Sequence, residues 1–216
     1  MSGRLAGRVL MASESGSGEI DAMTARSGGA RPARVFVALK MAPEIAGELA
    51  RMARELERFP VRLIAAADIH LTLVPPWNEV SIPDAVGKLG RIADRFGDFT
   101  LEFRHVGYGP EPRRPRFLWA ECAAGSGLAR LRAELLLAFE QADERPFRPH
   151  VTLARLRGNG AVIARKYPVD RDIALTQRVG SVELMQSPAP GESGYKVLAS
   201  PPFGANAELS SPTRDV

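Results

Sequence analysis

The sequence has 216 residues, 45% of them hydrophobic, which is enough to bury the core of a single domain or of two small lobes. Its 29 basic residues outnumber 25 acidic ones and give a net charge of +4, which permits a polyanionic partner without requiring one. A single cysteine, Cys122, excludes an internal disulfide and indicates a reducing compartment, and we expect its thiol to be buried and structural. No apolar run is long enough to span a bilayer or to serve as a signal core, so we expect a cytoplasmic protein without a membrane partner.

The two ends of the chain differ in composition from the rest. Residues 1–33 are rich in Gly, Ser, Ala and Arg and show no sustained hydrophobic period, which predicts a disordered N-terminal extension. Residues 204–216 hold too few apolar side chains to dock firmly, so we expect a flexible C-terminal tail. The folded part is therefore expected to span residues 34–203.

The folded part is predicted to begin with a strand and a helix. Residues 34–39 form a nearly continuous apolar run, typical of a central strand covered on both faces. Pro43 suits the first turn of the helix that follows, whose apolar residues recur at steps of three and four. After a short segment at 61–64, a second strand is predicted over residues 69–74.

Two prolines and a serine mark the expected element boundaries in the next segment. Pro75 and Pro76 are expected to end the strand, because proline cannot donate to a ladder, and a loop containing Trp77 is expected after them. Ser81 is predicted to cap a second helix that closes near Gly97.

The second half of the folded part predicts a hairpin, a helix, a strand and a closing hairpin. Alternation from residue 99 to 105 and again over 116–122 indicates two antiparallel strands, and an apolar stripe predicts a helix after residue 127. A strand follows at residues 150–156. The last part holds a short apolar segment at 173–175 and two strands, around 179–186 and 195–198, joined by a turn rich in Pro, Gly and Ser.

One pattern of four residues occurs twice, as His70-Leu71-Thr72-Leu73 and as His150-Val151-Thr152-Leu153. On a strand, side chains alternate between faces, so the His and Thr of each copy share one face. The chain has only 3 histidines, and two of them carry this pattern. Each copy follows a predicted helix, and the large separation between the copies suggests a duplicated lobe.

If the two lobes face each other, His70, Thr72, His150 and Thr152 converge on one cleft. Imidazoles have an ordinary pKa of about 6.5, so one can act as a base and the other as an acid near neutral pH. The threonine hydroxyls can donate to the non-bridging oxygens of a bound anion and stabilise the charge that grows in a phosphoryl transition state. Phosphate ester chemistry fits this set best.

Three segments together resemble a known family: residues 34–39, residues 69–73, and residues 147–155, which read Phe-Arg-Pro-His-Val-Thr-Leu-Ala-Arg. They are similar to the RNA 2',3'-cyclic phosphodiesterases, also called the LigT-like 2'-5' RNA ligase family, of the two-histidine phosphoesterase superfamily. The resemblance covers residues 34–203. The paired motif, with a proline before the second histidine, is far more specific than one His-x-Thr.

The resemblance implies an α+β fold of two pseudo-symmetric lobes, each an antiparallel sheet backed by helices, with a central cleft. It also implies metal-independent hydrolysis of RNA 2',3'-cyclic phosphate ends to a 2'-phosphate, with no cofactor. His150 would be the proton acceptor and His70 the proton donor, although the near-symmetric motifs leave the reverse assignment open. RNA ends or small cyclic nucleotides would be the partners of a chain that acts as a monomer.

Two further residues are candidates for substrate binding. Family members usually continue the first motif with an aromatic residue and a glycine, where this chain has Val74-Pro75-Pro76-Trp77, so Trp77 is the candidate replacement for base stacking. Arg155 lies five positions after His150 and nominally points to the other face, so it reaches the phosphate only if the strand is bulged. His105 continues an apolar face and lacks the threonine, so we expect it to be structural.

Three alternatives stay open at this point. The chemistry could run as 2'-5' RNA ligation instead of hydrolysis. The protein could be a non-catalytic module that binds RNA ends through the same four residues. A metallohydrolase using His70, His105 and His150 ranks last, because no carboxylate cluster or His-Glu-x-x-His motif accompanies them.

Overall fold

The computed structural model describes residues 31–123 and 125–204. The predicted N-terminal extension and C-terminal tail lie outside these ranges, apart from residues 31–33 and Gly204. The first strand begins at Ala33, one residue before the strand predicted at 34–39. None of the described helices is both long and apolar enough to cross a bilayer.

The described residues form one nine-stranded sheet with helices packed against it. The strands are β1 (Ala33–Lys40), β2 (Val61–Leu63), β3 (His70–Glu79), β4 (Phe99–Gly109), β5 (Phe117–Cys122), β6 (His150–Leu156), β7 (Asp170–Val179), β8 (Glu183–Gln186) and β9 (Lys196–Ala199). The helices are α1 (Pro43–Ala53), α2 (Ile82–Ala93), α3 (Ser126–Ala138) and α4 (Gly160–Lys166), and 3-10 turns cover Arg54–Arg58 and Ala66–Asp68.

The sheet is antiparallel throughout, in the order β7-β4-β5-β6-β3-β1-β8-β9, with β2 added beside β6. Its two halves, β3-β1-β8-β9 and β6-β5-β4-β7, meet where the two motif strands lie next to each other. The α+β class with antiparallel sheets and helices, predicted from the resemblance, is confirmed.

The first strand shows how the two faces of the sheet differ. Val35, Val37 and Leu39 are buried in the main core together with the apolar sides of α1, α2 and α3. Phe36 and Ala38 point to the opposite face and form a small second cluster with Met185, against which Tyr195 packs. The strand is thus covered on both sides, as its apolar run predicts.

Local signals in the sequence account for the helix starts. Pro43 occupies the first turn of α1, where its missing N–H costs no hydrogen bond. The Ser81 hydroxyl accepts from the Asp84 backbone N–H at 3.4 Å, as expected of the N-cap of α2. These helices lie on the side of the sheet away from the motif histidines.

The prediction that Pro75 and Pro76 end the first motif strand is wrong. β3 continues beyond both prolines, and Trp77, expected in a loop, pairs with Val35 of β1. A register shift between Val35 and Val37 leaves the two prolines without partners in the ladder, so the strand loses no hydrogen bond there.

Two elements in the last third exceed the prediction. The sequence predicts only a short apolar segment at 173–175, yet β7 extends from Asp170 to Val179 along β4. β7 is an edge strand and is largely polar, so it lacks the hydrophobic signal of a central strand. The short helix α4 has no counterpart in the prediction; it begins at Asn159, whose side chain accepts from the Val162 N–H at 3.3 Å.

Candidate active site

A small pocket of roughly 60 Å³ lies where the two motif strands meet. The residues lining it are Ile64, Asp68, His70, Thr72, His150, Thr152, Arg155 and Tyr195. The structure therefore brings together all four motif residues from the two halves of the sheet. Arg155 joins them.

Both motif histidines are held by the same hydrogen bond. The Nδ1 of His70 lies 2.6 Å from the carbonyl oxygen of Asp68, and the Nδ1 of His150 lies 2.7 Å from that of Arg148. A carbonyl oxygen only accepts, so each Nδ1 carries a hydrogen and donates it. Each Nε2 is then the ring nitrogen left for a ligand, as an acceptor when the ring is neutral and as a donor when it is charged.

Burial lowers the pKa of His70, because the charged imidazolium loses water contacts. The hydrogen bond to the Asp68 carbonyl and the nearby Asp68 carboxylate act in the opposite direction, while Arg155 and His150 lower the pKa further through repulsion. Burial also dominates at His150 and lowers its pKa, with the Glu121 carboxylate opposing it and Arg148 and Arg145 adding to it. A bound phosphate would favour protonation of either ring by direct attraction.

Aromatic rings hold each imidazole in place. The His70 ring centroid is 5.0 Å from that of Phe36 and 4.9 Å from that of Tyr195, which meets it edge-on. The His150 ring lies 4.3 Å from the ring of Trp119. The Arg148 guanidinium, 5.0 Å from the Trp119 ring, covers the same indole. Packing of this kind restricts the rotamers of both rings before any ligand arrives.

A bulge in β6 brings Arg155 to the pocket. Thr152 pairs with Trp119, but the next pair in the ladder joins Ala154 to Leu118, so Leu153 is an extra residue. Leu153 and Ala154 are consecutive buried residues, and the side chain of Arg155 returns to the face of His150. The sequence allows Arg155 to reach a phosphate only if the strand is bulged, and β6 has that bulge.

The first motif contains the same bulge with a different outcome. Thr72 pairs with Ala38 and Val74 with Val37, so Leu73 is the extra residue in β3. The position equivalent to Arg155 is then Pro75, which carries no charge. The pocket is nearly symmetric in its histidines and threonines but has an arginine on one side only.

Sequence comparison is consistent with this geometry. A profile described as the 2'-5' RNA ligase superfamily matches residues 63–188, more than half of the chain. The chain belongs to the 2'-5' RNA ligase superfamily.

Two relatives of this superfamily member are named RNA 2',3'-cyclic phosphodiesterase. An RNA 2',3'-cyclic phosphodiesterase from Aeropyrum pernix is 34% identical over 147 residues, which cover 64% of this chain and 78% of the relative. An RNA 2',3'-cyclic phosphodiesterase from Bacillus subtilis is 34% identical over 94 residues, covering 41% of this chain and 51% of the relative.

Several solved structures have a similar fold, and the match to this chain extends over nearly their whole length. TT0787 of Thermus thermophilus superposes with a TM-score of 0.68 at 24% identity, covering 80% of this chain and 99% of that protein, and this likeness shows the fold alone. E. coli LigT complexed with 3'-AMP gives a TM-score of 0.64 at 25% identity, covering 80% of this chain and 98% of LigT. The resemblance inferred from the motifs is thus confirmed at the level of family and fold.

Trp77 does not line the pocket. Its ring packs on Phe139 with centroids 4.9 Å apart, and its Nε1–H donates to the Glu79 carboxylate at 3.0 Å. It therefore joins β3 to the end of α3. The aromatic rings beside the two histidines are instead those of Tyr195 and Trp119.

His105 also lies away from the pocket. Its Nε2 is 2.6 Å from the Asp170 carboxylate on the edge strand β7, which fits the structural role expected of it. Within the described residues, no group of three or more His, Cys, Asp or Glu side chains could hold a metal ion.

Sequence reasoning missed Asp68 and Tyr195. Asp68 holds His70 through its backbone carbonyl. Any residue type has such a carbonyl, so the contact leaves no signal in the sequence. Its carboxylate accepts from the backbone N–H of Tyr195 at 3.0 Å, which fixes the start of β9 beside the pocket. The only signal for Asp68 was its position two residues before His70, shared by Arg148 before His150.

Proposed function

We propose that this protein is a phosphodiesterase that opens 2',3'-cyclic phosphates at RNA ends and leaves a 2'-phosphate. The observation that carries the proposal is the pocket itself, with two imidazoles, each tied through Nδ1 to a backbone carbonyl, beside two threonines and one arginine. The assigned names of the two relatives at 34% identity support the same substrate.

The phosphate of the substrate would occupy the small pocket. Its non-bridging oxygens would accept hydrogen bonds from the hydroxyls of Thr72 and Thr152 and from the guanidinium of Arg155. These donors are already placed, so they stabilise negative charge that grows at phosphorus without reorganising during the reaction. Arg155 supplies the charge that neutralises the anion.

The two histidines would handle the protons. Neutral His150 accepts a proton at Nε2 from water while the water oxygen attacks phosphorus. The bond from phosphorus to the 3'-oxygen breaks, and charged His70 donates its Nε2 proton to that oxygen. One water is consumed, and the products are a 2'-phosphate and a free 3'-hydroxyl. Each proton transfer contributes about 10²- to 10⁴-fold in rate.

The family name supports 2'-5' RNA ligation as a second candidate reaction in the same pocket. A 5'-hydroxyl of another RNA would then take the place of water, give its proton to His150 and attack phosphorus, while His70 protonates the departing 3'-oxygen. The roles of the protein groups do not change. Only the nucleophile distinguishes the two reactions.

The test is incubation of the full chain with an oligonucleotide that ends in a 2',3'-cyclic phosphate, in the presence of a chelator. We expect a 2'-phosphate product, loss of activity in His70→Ala and His150→Ala, and retained activity in the matched control His105→Ala. Thermal melting of each variant shows that the loss is not unfolding. A 3'-phosphate product, dependence on metal, or full activity of either motif variant would contradict the proposal.

We also propose that residues 34–203 make up the catalytic domain and that the protein works as a monomer in the cytoplasm. Every residue lining the pocket comes from this range, which supports the domain bounds. Sedimentation of the active protein tests the monomer, since activity confined to a dimer would contradict it.

A further inference from the structure

The catalytic pocket is too small for a nucleotide. Its volume of roughly 60 Å³ suits a phosphate group, whereas pockets that enclose whole small molecules have volumes of about 300 to 1,000 Å³. The ribose, the base and any further nucleotides of the proposed substrate must therefore lie on the surface around the pocket.

A much larger groove adjoins the pocket at Tyr195. We call it the Tyr195 groove; its volume is roughly 980 Å³, and its walls are residues 31–34 on one side and residues 186–190 and 192–196 on the other. Tyr195 lines both the groove and the catalytic pocket. A ligand bound through its phosphate in the pocket can continue directly into the groove.

The charge of the Tyr195 groove is positive. Arg31, Arg34 and Lys196 line it, and in the described part of the chain none of the three forms an ion pair with an acidic side chain. The acidic side chain in the lining, Glu192, is engaged locally, because its carboxylate accepts from the Ala189 backbone N–H at 3.2 Å. A phosphodiester backbone is the polyanion that such a surface attracts.

The groove extends along β1 in the direction away from the catalytic pocket. Arg34 and Phe36 lie on the same face of the strand, about 7 Å apart along it. Phe36 contacts His70, so Arg34 lies one step further from the reacting phosphate. The opposite wall is anchored to this strand, since the Ser187 backbone N–H donates to the Arg34 carbonyl at 2.8 Å.

Tyr195 is held in a defined position between the two sites. Its backbone N–H donates to Asp68 at 3.0 Å, and its ring meets the rings of Phe36 and His70 edge-on. Tyr195 is only half-buried, so it is the aromatic residue of the groove against which we place an unpaired base. Stacking on aromatic rings beside basic side chains is the usual way in which proteins bind single-stranded nucleic acid.

We propose that the Tyr195 groove binds the single-stranded RNA that carries the cyclic phosphate. Its backbone phosphates lie near Arg31 and Arg34, and a base stacks on Tyr195. The inference rests on the proposed function and adds that the substrate is an RNA end of several nucleotides and not a free cyclic nucleotide.

The test compares a 2',3'-cyclic mononucleotide with cyclic-phosphate oligonucleotides of increasing length. We expect kcat/KM to rise by at least tenfold from the mononucleotide to a short oligonucleotide. Arg31→Ala and Arg34→Ala should each reduce kcat/KM for the oligonucleotide about three- to tenfold, with a smaller loss for the mononucleotide. The matched control is Arg54→Ala, an exposed arginine next to α1 on the helical side of the sheet, and it should leave both values unchanged.

Binding measurements separate this inference from the proposed function. The affinity of the full chain for an oligonucleotide ending in an uncleavable 3'-phosphate should fall in both variants, and its salt dependence should lose a slope of about 1 per removed contact. Equal kcat/KM for the mononucleotide and the oligonucleotide, or unchanged affinity in both variants, would overturn the groove and leave the phosphodiesterase proposal intact. Absence of hydrolysis with intact, variant-sensitive binding would overturn the proposed function alone.

Discussion

Leu71 of β3 pairs with Val151 of β6 across the centre of the sheet. Because the two strands are antiparallel, this register sets His70 across from Thr152 and Thr72 across from His150. Each imidazole thus has the hydroxyl of the other motif as its neighbour on the shared face. The pocket results from this one pairing, and a slip by one residue would turn one motif into the core.

The threonine hydroxyls should matter through their hydrogen bonds and not through their volume. Replacing Thr72 or Thr152 with valine keeps the shape but removes a donor to the phosphate. We expect kcat/KM to fall by about 10²- to 10³-fold for each replacement, the usual cost of a lost donor to a developing anion.

Serine at either position should restore most of that activity, since it keeps the hydroxyl. Thr100→Val, on the exposed face of β4, is the control and should be silent. Unchanged kcat/KM in both valine variants would show that the hydroxyls do not contact the transition state.

Charge at Asp68 and Glu121 should act on different histidines. Each carboxylate raises the pKa of its neighbour by attraction, Asp68 at His70 and Glu121 at His150. Asp68→Asn should therefore lower the pKa of His70 and Glu121→Gln that of His150, each beyond the lowering that burial already causes. Proton NMR titration of the imidazole signals checks each direction.

The same two variants address which histidine is the acid. If His70 must be protonated for activity, Asp68→Asn makes it lose its proton at lower pH, so the limb where activity falls with rising pH moves to lower pH. If His150 must be neutral, Glu121→Gln lets it lose its proton sooner, so the limb where activity rises moves to lower pH. An exchange of the two limbs between the variants would reverse the assigned roles.

Removal of the Arg155 charge should have two separable effects. Arg155→Ala should lower kcat/KM for the cyclic phosphate, because the anion loses its cationic partner, and Arg155→Lys should recover part of the loss. The pKa of His70 should rise, since the guanidinium lowers it by repulsion. An unchanged His70 titration in the alanine variant would place the guanidinium away from the ring.

A glycine next to Trp119 should be intolerant of a side chain. A Cβ at Gly109 would overlap the Trp119 indole, so Gly109→Ala must displace the ring that packs on His150. We expect a loss of about 1 to 3 kcal/mol in unfolding free energy, together with reduced activity.

Gly47→Ala is the matched control for that substitution. Nothing lies within 4 Å of a Cβ at Gly47, which is inside α1, so alanine should stabilise the protein by about 0.5 to 1 kcal/mol. Chemical denaturation measures both values, and equal stability of the two variants would contradict the prediction.

The thiol of Cys122 should be inert in the folded protein. Burial raises its pKa to about 12, so almost no thiolate exists at neutral pH. We expect an alkylating reagent to modify Cys122 only after denaturation, as followed by mass spectrometry. Rapid alkylation of the native protein would show that the end of β5 opens readily.

Local patterns in the sequence predicted most of the elements and the reactive groups of this protein. Apolar runs and alternation located β1 and β6, and a proline and a serine marked the starts of α1 and α2, because these features depend on neighbours close in the chain. The repeated His-x-Thr pattern indicated the chemistry for the same reason, since alternation along a strand is a local property.

Which of those groups share one site depends on contacts between residues distant in the chain. The bulges at Leu73 and Leu153 depend on how β1 and β5 pair with the motif strands, and only the second turns an arginine toward the pocket. The passage of β3 through its prolines, the placement of Trp77 away from the pocket and the arrival of Tyr195 beside His70 likewise follow from partners distant in the chain. Such contacts depend on long-range register and packing, and these produce no local period in the sequence.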